Sequence, residues 1–281
     1  IFFRLKYFPI NYSQCRLWER PREEWKYYYG SVYDAWQRSR LRKEVFPRDY
    51  QIIYDDKSLS HMLCVANDIP VPNVAGVADP LACSSLLDQA LVRFPDRRFV
   101  VKPVAGRGGA GIYVSHLERG NIVVKGPDSR TYTGSEFIPS ERSILQEWIS
   151  QHPELSRISP SVNTVRFVTL LTRSGAVVVV GAYMRFGIED SLVDNVSQGG
   201  VLVGIDLNTG RLQSCGYDSM SRQYREHPSS GITFEGYAVP HWDSVMALAE
   251  RVQRALPYNK LIGQDIAIAT EGPLIIELNA Q

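Results

Sequence analysis

The sequence has few cysteines and no long hydrophobic run. Its four cysteines are Cys15, Cys64, Cys83 and Cys215. None lies in a CxxC pair, so neither a zinc knuckle nor a disulfide framework is indicated. The longest apolar run, residues 176–182, contains a glycine and is far shorter than the roughly 20 residues that a membrane-spanning helix needs. We therefore expect buried, reduced thiols and no membrane span.

The sequence also has almost no excess of one charge sign. Its 31 basic and 30 acidic residues give a net charge of +1, so no overall field favours nucleic acid or anionic lipid as a partner. The charge is uneven, because residues 1–50 contain 11 basic and 6 acidic residues and the remainder is acidic. Hydrophobic residues at 44% and charged residues at 22% exclude a disordered or collagen-like chain.

The length of 281 residues predicts about two domains. The chain begins without an initiator methionine and ends at Gln281, two residues after a candidate site residue, so we expect a piece of a longer protein. No signal peptide is recognisable, and we expect a cytoplasmic location.

Hydrophobic periodicity predicts both helices and strands. Residues 12–46 are rich in Trp, Tyr, Arg and Glu and predict helices; this composition fits a nucleic-acid surface or aromatic packing, of which we favour packing. Asp55 and Asp56 can cap a helix whose apolar stripe is Leu59, Met62, Leu63 and Ala66. Two more helices are predicted, one at 84–94 and one at 242–256. The apolar stripe of the second is Trp242, Val245, Met246, Ala249, Val252 and Leu256. Strands are predicted at 99–102, 112–114, 122–124, 144–149, 162–171, 176–184, 200–206, 211–214, 264–269 and 274–278.

A glycine-rich loop follows the first predicted strand, which ends at Lys102. The loop contains Gly106, Arg107, Gly108 and Gly109. Glycine amides approach phosphate oxygens without obstruction from side chains, so the loop is a candidate phosphate cradle. It matches neither the P-loop nor the dinucleotide-binding motif, and a plain glycine-rich turn fits these residues equally well.

The last predicted strand carries two polar side chains. Alternation along a strand puts Glu277 and Asn279 on one face, while Ile276 and Leu278 point the other way. A polar face of this kind is either exposed to solvent or part of a ligand site.

The preceding strand carries a second carboxylate, Asp265. An odd-numbered loop centred on Glu271 would pair Asp265 directly with Glu277. Two adjacent carboxylates repel unless a positive charge lies between them, and oxygen ligands on one face suit Mg²⁺. Together with Lys102 and the glycine loop, Asp265, Glu277 and Asn279 describe a site for Mg-ATP; a solvent-exposed polar face is the alternative.

The order of these motifs resembles the ATP-grasp superfamily from about Asp56 to Asn279. This resemblance implies an α+β fold in which two α+β lobes hold nucleotide between them, after a short helical N-terminal segment. It divides the chain into that segment at 1–50, an N-terminal lobe with the phosphate flap at 51–145, and a C-terminal lobe with the metal-binding strands at 146–281. The matching segments are residues 56–57, 101–103 with the glycine loop, 146–149, 263–265 and 276–279.

The resemblance also implies how nucleotide is bound. Lys57 and Lys102 would offset the charge of the α- and β-phosphates. The strand at Gln146 would hold the adenine, with the Gln146 side chain facing the exocyclic amine and the backbone of Glu147 and Ile149 completing the edge.

The same resemblance implies roles for two arginines on strands and shows one departure from the family pattern. Arg166 and Arg185 match arginines that face the γ-phosphate and the acyl-phosphate in related ligases, although pairing with acids on neighbouring strands is the alternative. The ribose-binding carboxylate of many members is absent, which leaves Asn163 or Thr164 for that role.

Within the superfamily, residues 161–169, 194–200 and 227–242 are similar to the sugar-transfer-associated ATP-grasp group. The similarity implies a substrate pocket that includes Asn195, Ser197, Gln198 and His227. His227 fits a base, a phosphohistidine, or a residue that stabilises a loop or contacts substrate, and we favour the last.

The implied reaction is ATP- and Mg²⁺-dependent ligation of a small-molecule carboxylate to an amine through an acyl-phosphate. The group's association with cell-surface polysaccharide loci implies a place in that chemistry or in secondary metabolism. A phosphotransferase and a nucleotide-binding module without chemistry are the alternatives. The sequence does not specify the acid, the amine or the oligomeric state.

Overall fold

The computed structural model describes residues 17–25, 42–94, 98–106, 111–118, 121–126, 130–134, 136–188 and 199–280. Most of the predicted N-terminal helical region lies outside these residues. The α-helices are α1 (Ile52–Asp55), α2 (Lys57–Ala66), α3 (Cys83–Arg93), α4 (Pro153–Ile158) and α5 (Trp242–Ala255). Short 3-10 helices lie at Leu17–Glu19, Arg48–Tyr50 and Pro80–Ala82. In the described part of the chain, no helix combines the length and apolar character needed to cross a membrane.

The strands form two sheets, and ten of the thirteen described strands correspond to predicted ones. The first sheet contains β1 (Val74–Ala78), β2 (Phe99–Pro103), β3 (Tyr113–Glu118), β4 (Asn121–Lys125), β5 (Thr131–Thr133) and β6 (Ser143–Glu147). The second contains β7 (Thr164–Leu171), β8 (Val177–Phe186), β9 (Val201–Ile205), β10 (Leu212–Tyr217), β11 (Gln223–Tyr224), β12 (Leu261–Ala269) and β13 (Gly272–Asn279). Strands β1, β5 and β11 were not predicted. The mixture of helices and antiparallel sheets confirms the α+β class.

The six-stranded sheet has the order β1-β6-β2-β3-β4-β5, with antiparallel neighbours throughout. Helix α3 packs on it through residues spaced three and four apart, which form one helix face. The core of this sheet includes Leu86, Leu87 and Ala90 from α3 and Phe99, Val101 and Leu145 from the strands. The sheet therefore has its own hydrophobic core.

The seven-stranded sheet has the order β11-β10-β9-β8-β7-β12-β13, again with antiparallel neighbours. Helix α5 buries the predicted apolar stripe against it, and Val245, Ala249 and Val252 are fully buried. The core of this sheet also includes Tyr54 and Cys64, although both precede the first sheet in the chain.

The predicted division of the chain therefore stays a proposal. Helix α2, which was assigned to the N-terminal lobe at 51–145, contributes Cys64 to the core of the C-terminal sheet. Strand β6 also continues across the boundary predicted between residues 145 and 146.

Helix α2 begins as predicted, but it buries a partly different face. The carboxylate of Asp56 caps it by accepting hydrogen bonds from the backbone amides of Ser58 and Leu59 at 2.8 and 3.1 Å. Ser60 and Cys64 face inward, while Met62 of the predicted apolar stripe is 63% exposed. The prediction of that stripe was right for Leu63, which packs against the core, and wrong for Met62 and Ala66, which are exposed.

The final hairpin confirms that Asp265 pairs with Glu277, but by a different route. Ala269 pairs with Gly272, so the turn contains an even number of residues, and the register shifts after Asp265. Strand β13 therefore contains one extra residue, Ile276, a β-bulge that restores the predicted pairing.

The bulge also changes which side chains share a face. Ile275 and Leu278 are both buried in the core of the seven-stranded sheet, whereas Ile276 is only half-buried. The prediction that Ile276 shares a face with Leu278 was wrong, because a bulge interrupts the alternation on which that prediction depends.

Candidate active site

Six charged side chains from both sheets and from α2 converge on one region of the structure. They are Lys57 at the start of α2, Lys102 on β2, Arg166 on β7, Arg185 on β8, Asp265 on β12 and Glu277 on β13. The lysines come from the side of the six-stranded sheet and the start of α2, and the arginines and carboxylates come from the seven-stranded sheet.

The register of the seven-stranded sheet aligns three of these side chains in one row. Asp265 lies directly opposite Arg166 on β7 and Glu277 on β13. Arg185 lies opposite Thr164, two residues before Arg166. Directly opposed residues of antiparallel strands project from the same face, so all of these side chains share one face of the sheet.

Asp265 is buried and bonded to both arginines. Its Oδ1 accepts a hydrogen bond from Nε of Arg166, and its Oδ2 accepts one from Nη2 of Arg166 at 3.0 Å. Nη2 of Arg185 lies 3.1 Å from the same Oδ2. Burial alone would lower the pKa of Arg166, but the charge and hydrogen bonds of Asp265 outweigh it and raise the pKa above its ordinary value.

Arg185 is also held by Thr164, a residue that the sequence assigned to ribose. The hydroxyl oxygen of Thr164 accepts hydrogen bonds from Nε and Nη2 of Arg185 at 2.9 and 2.6 Å. Thr164 is fully buried. In this structure its hydroxyl therefore orients an arginine, and we do not include Thr164 among the proposed ribose contacts.

Both lysines bond to backbone carbonyls, and Lys57 also forms an ion pair with Glu277. Nζ of Lys102 donates to the carbonyl of Ile276 at 3.2 Å, which is the bulged residue of β13. Nζ of Lys57 donates to the carbonyl of Gly106 at 2.5 Å and lies 3.4 Å from Oε1 of Glu277. The lysines thus connect the start of the glycine-rich loop to β13.

Lys102 lies in an unusual electrostatic environment. Burial lowers the pKa of its ammonium group to about 8, and the nearby charge of Lys57 adds to this effect. The carboxylates of Glu277 and Asp265 oppose it. A buried cation close to another cation indicates a site that is built to receive negative charge.

Two clefts meet at Glu277. The smaller has a volume of about 20 Å³, and the larger one of about 320 Å³. The polar residues lining the smaller cleft are Lys57, Ser60, His61, Gln146 and Glu277. The larger cleft is lined by Tyr54, Asp55, Ala105, Gly106, Glu277, Asn279 and Ala280.

The predicted adenine strand contributes Gln146 to the smaller cleft, where Gln146 is buried and the half-buried Lys57 also lines the wall. The backbone N–H of Glu147 already donates to the carbonyl of Asn73 at 2.8 Å, and its Oε2 accepts from Nδ2 of Asn73 at 2.6 Å. Ile149 follows the end of β6 and is half-buried. The backbone N–H of Glu147 is therefore engaged, and a contact between its backbone and adenine would use the carbonyl oxygen.

The structure does not bring Asn163 to the site. Its side chain is fully buried, and its Nδ2 donates to Oε1 of Gln151 at 3.0 Å and to the carbonyl of Ser159 at 3.1 Å. Its Oδ1 accepts from the backbone amide of Gly187 at 3.3 Å. These bonds close a loop network, which leaves no exposed face for ribose.

His227 is likewise buried away from the charged cluster. Its Nε2 bonds to the carbonyl of Gly187 at 2.9 Å, and its Nδ1 accepts from the backbone amide of Ser230 at 3.3 Å. Its ring lies beside Phe186 and Phe234, and burial lowers its pKa. Both ring nitrogens are engaged, so this geometry fits the loop-stabilising alternative.

Six predicted site residues lie outside the described residues. They are Arg107, Gly108 and Gly109 of the glycine loop and Asn195, Ser197 and Gln198 of the predicted substrate pocket.

His61 belongs to the site but was not predicted from the sequence. Its ring lines the smaller cleft, and its Nδ1 is buried without a hydrogen-bond partner among the described residues. Burial lowers the pKa of His61, and the charge of Lys102 adds to this. A signal was available, because His61 lies four residues after Lys57 and so on the same face of a helix.

Oxygen atoms from two strands are available as ligands for Mg²⁺. Glu277 and Asn279 offer oxygen atoms to the larger cleft, which suits Mg²⁺. Asp265 also offers oxygen, but both of its oxygens accept bonds from arginine, so it can join an ion only by giving up such a bond. Within the described residues, no cluster contains three or more His, Cys, Asp or Glu side chains placed to hold a metal. The residues therefore fit Mg²⁺ through Glu277 and Asn279.

Two antiparallel sheets, with lysines and carboxylates meeting between them, define the class as an ATP-grasp fold. The chain belongs to the sugar-transfer-associated ATP-grasp family, whose model matches residues 36–281. No curated protein sequence matches the chain.

Several solved structures are similar in fold. N5-carboxyaminoimidazole ribonucleotide synthetase from Thermotoga maritima is 15% identical with a TM-score of 0.47, over 85% of this chain and 46% of that one. D-alanyl-alanine synthetase A from Vibrio cholerae is 14% identical with a TM-score of 0.45, over 81% and 55%. A RimK domain ATP-grasp protein from Sphaerobacter thermophilus is 13% identical with a TM-score of 0.43, over 81% and 59%. The chain thus spans about half the length of these proteins, and such scores assign no activity to it.

Proposed function

We propose that this protein is an ATP- and Mg²⁺-dependent carboxylate–amine ligase that forms an amide bond through an acyl-phosphate. The observation that supports this best is the charged cluster. Among the described residues, four cations, Lys57, Lys102, Arg166 and Arg185, surround two carboxylates. This excess of positive charge, at the junction of two clefts, suits a polyphosphate and a second anionic substrate.

The lysines are proposed to bind the phosphates of ATP. Both end in ammonium groups that bond to neutral carbonyls, and such bonds exchange at low cost for stronger bonds to phosphate oxygens. Gln146 lies in the same cleft as Lys57, which supports its proposed contact with adenine. His61, in that cleft, adds a neutral polar group.

Mg²⁺ is proposed to be held by Glu277 and Asn279, with Asp265 as a further ligand. When bound, the ion would offset charge on the β- and γ-phosphates. Glu277 faces both clefts, so it lies where nucleotide and ion would meet.

Arg166 and Arg185 are proposed to orient the substrate carboxylate and the transferring phosphoryl group. A carboxylate oxygen attacks the γ-phosphorus, the bond to ADP breaks, and an acyl-phosphate results. The amine nitrogen then attacks the acyl carbon, phosphate leaves, and the nitrogen loses a proton. Guanidinium groups suit both anions because they bind planar oxygen pairs bidentately, and the enzyme contributes positioning and charge.

The substrates are proposed to be small molecules, with neither nucleic acid nor a membrane as a partner. Amide formation in cell-surface polysaccharide or secondary metabolism, in the cytoplasm where ATP is present, is part of the same proposal. The family description supports the first context, because it associates these proteins with sugar transfer.

A phosphate-release screen with Mg-ATP across pairs of carboxylates and amines tests the proposal. We expect release that requires both substrates, and a product whose mass equals acid plus amine minus water. With the acid alone, hydroxylamine should trap an acyl hydroxamate. A phosphorylated product that resists hydroxylamine and forms without amine would refute ligation and indicate a phosphotransferase.

A further inference from the structure

Asp265 occupies one guanidinium edge of Arg166 and contacts one nitrogen of Arg185, and an external anion would use the same positions. The Nε–Nη2 edge of Arg166 bonds both oxygens of Asp265, and Nη2 of Arg185 lies 3.1 Å from its Oδ2. Nδ2 of Asn279 also lies 3.5 Å from that oxygen. A carboxylate oxygen has two lone pairs, so protein donors use the whole acceptor capacity of Oδ2.

We propose that Asp265 is an internal competitor for Arg166 and Arg185, which withholds them from phosphate and carboxylate ligands until a divalent cation draws its carboxylate away. For the identity of these ligands the inference rests on the proposed function. It assigns Asp265 a role in the cation-free protein, in addition to its proposed place among the ligands of Mg²⁺.

The competition follows from geometry. A guanidinium edge binds one oxygen pair at a time, and the Asp265 carboxylate presents the same planar pair as a substrate carboxylate. Asp265 is only 1% exposed, so water does not weaken these bonds as it would at the surface. An incoming anion must therefore displace a buried carboxylate that the sheet holds in register with Arg166.

A divalent cation can remove the competitor because it binds the carboxylate and not the arginines. Glu277 lies directly opposite Asp265 on β13 and supplies further carboxylate oxygens, and the side-chain amide of Asn279, whose Nδ2 lies 3.5 Å from Oδ2 of Asp265, carries one more oxygen. Once Asp265 turns to the cation, both arginines lose a negative partner and their affinity for an anion rises. Cation and anion binding are then coupled, and each strengthens the other.

The first test measures the binding of inorganic phosphate without divalent cations by calorimetry. The full chain is compared with Asp265→Asn, which keeps the side-chain shape but removes the charge. The matched control is Asp218→Asn, because Asp218 is also buried and bonds Nε of Arg222 at 2.6 Å but follows β10, away from the cluster. We expect Asp265→Asn to bind phosphate about tenfold more tightly and Asp218→Asn to match the unsubstituted chain.

Equal or weaker phosphate binding by Asp265→Asn, with an unchanged circular dichroism spectrum, would overturn the proposal. An equal gain in Asp218→Asn would overturn it too, because net charge alone would then explain the result.

A second test needs no variant and covers the case in which Asp265→Asn does not fold. Phenylglyoxal modification of the unsubstituted chain is mapped by mass spectrometry with and without Mg²⁺. We expect Mg²⁺ to increase modification of Arg166 and Arg185 several-fold and to leave Arg222 unchanged. No change at the two arginines contradicts the proposal. Neither test uses ATP, so an absence of ligase activity alongside positive results would refute only the proposed function.

Discussion

The lysines and the arginines of the site are held in opposite ways. Lys57 and Lys102 bond mainly to backbone carbonyls near the glycine loop and β13, whereas Arg166 and Arg185 bond to the buried carboxylate of Asp265. A cation on a neutral carbonyl exchanges partners at low cost, while a cation in a buried ion pair does not. This difference indicates that the two lysines can bind phosphate directly, whereas the two arginines must first be released from Asp265.

The largest effect is expected when the carboxylate between the arginines is removed. Asp265→Ala should reduce turnover by about 1,000-fold or more, because it removes a proposed Mg²⁺ ligand and the partner that fixes both arginines. Glu277→Ala should have a similar effect from the neighbouring strand. Phosphate release measures turnover, and circular dichroism checks the fold. Unchanged turnover in both variants would contradict the proposal that Asp265 and Glu277 bind Mg²⁺.

Next in size is the loss of the buried lysine. Lys102→Met should weaken ATP binding by about 100-fold, because it removes a charge-assisted bond to phosphate. Lys125→Met is the matched control, since Lys125 lies in the same sheet but lines neither cleft. Calorimetry measures both affinities. If the two variants bind ATP equally well, Lys102 has no phosphate role.

A smaller effect is expected on the arginine side. Thr164→Val removes the acceptor that orients Arg185 and should lower kcat by about tenfold with little change in ATP affinity. Thr164→Ser keeps the hydroxyl and should restore most of the rate. A drop in ATP affinity without a change in kcat would instead favour a ribose contact for Thr164.

The smallest expected effect is a dependence of ATP affinity on pH, which arises from a lysine and not from the arginines. The pKa of Lys102 is lowered to about 8, so its ammonium group loses its proton as the pH rises through that value. ATP affinity should therefore fall a few-fold between about pH 7 and pH 9, and ATP binding near pH 8 should take up protons because phosphate favours the charged lysine. Calorimetry in buffers of different ionisation enthalpy detects this uptake. Its persistence in Lys102→Met would assign the proton elsewhere.

Much of the fold follows from local pattern, and the exceptions have identifiable causes. The apolar stripe of α5 and the hairpin of β7 and β8 are regular enough to predict. Strands β5 and β11 are only three and two residues long, which is too short to show a period of two. The face of α2 was mistaken in part because burial depends on which element packs against it.

Some features of the candidate site were also predicted from the sequence, and others were not. The pairing of Asp265 with Glu277 was predicted from spacing, but the bulge at Ile276 that produces it was not, because no residue type marks a bulge. Asn163 was a reasonable ribose candidate by its chemistry. Its side chain is nevertheless buried and bonded to a neighbouring loop, where ribose cannot reach it. His61 was overlooked because a single histidine carries little signal, although its spacing of four residues from Lys57 could have indicated it.

The sequence by itself determined the α+β class, ten of the thirteen strands, and the set of lysines, arginines and oxygen ligands. Periodicity and residue chemistry are local properties, so they can be read along the chain. Only the tertiary structure decided that Asp265 faces two arginines and that Lys102 bonds to the carbonyl of Ile276. These contacts join residues that lie far apart in sequence, and register, bulge and burial between strands choose which partner a charged group finds.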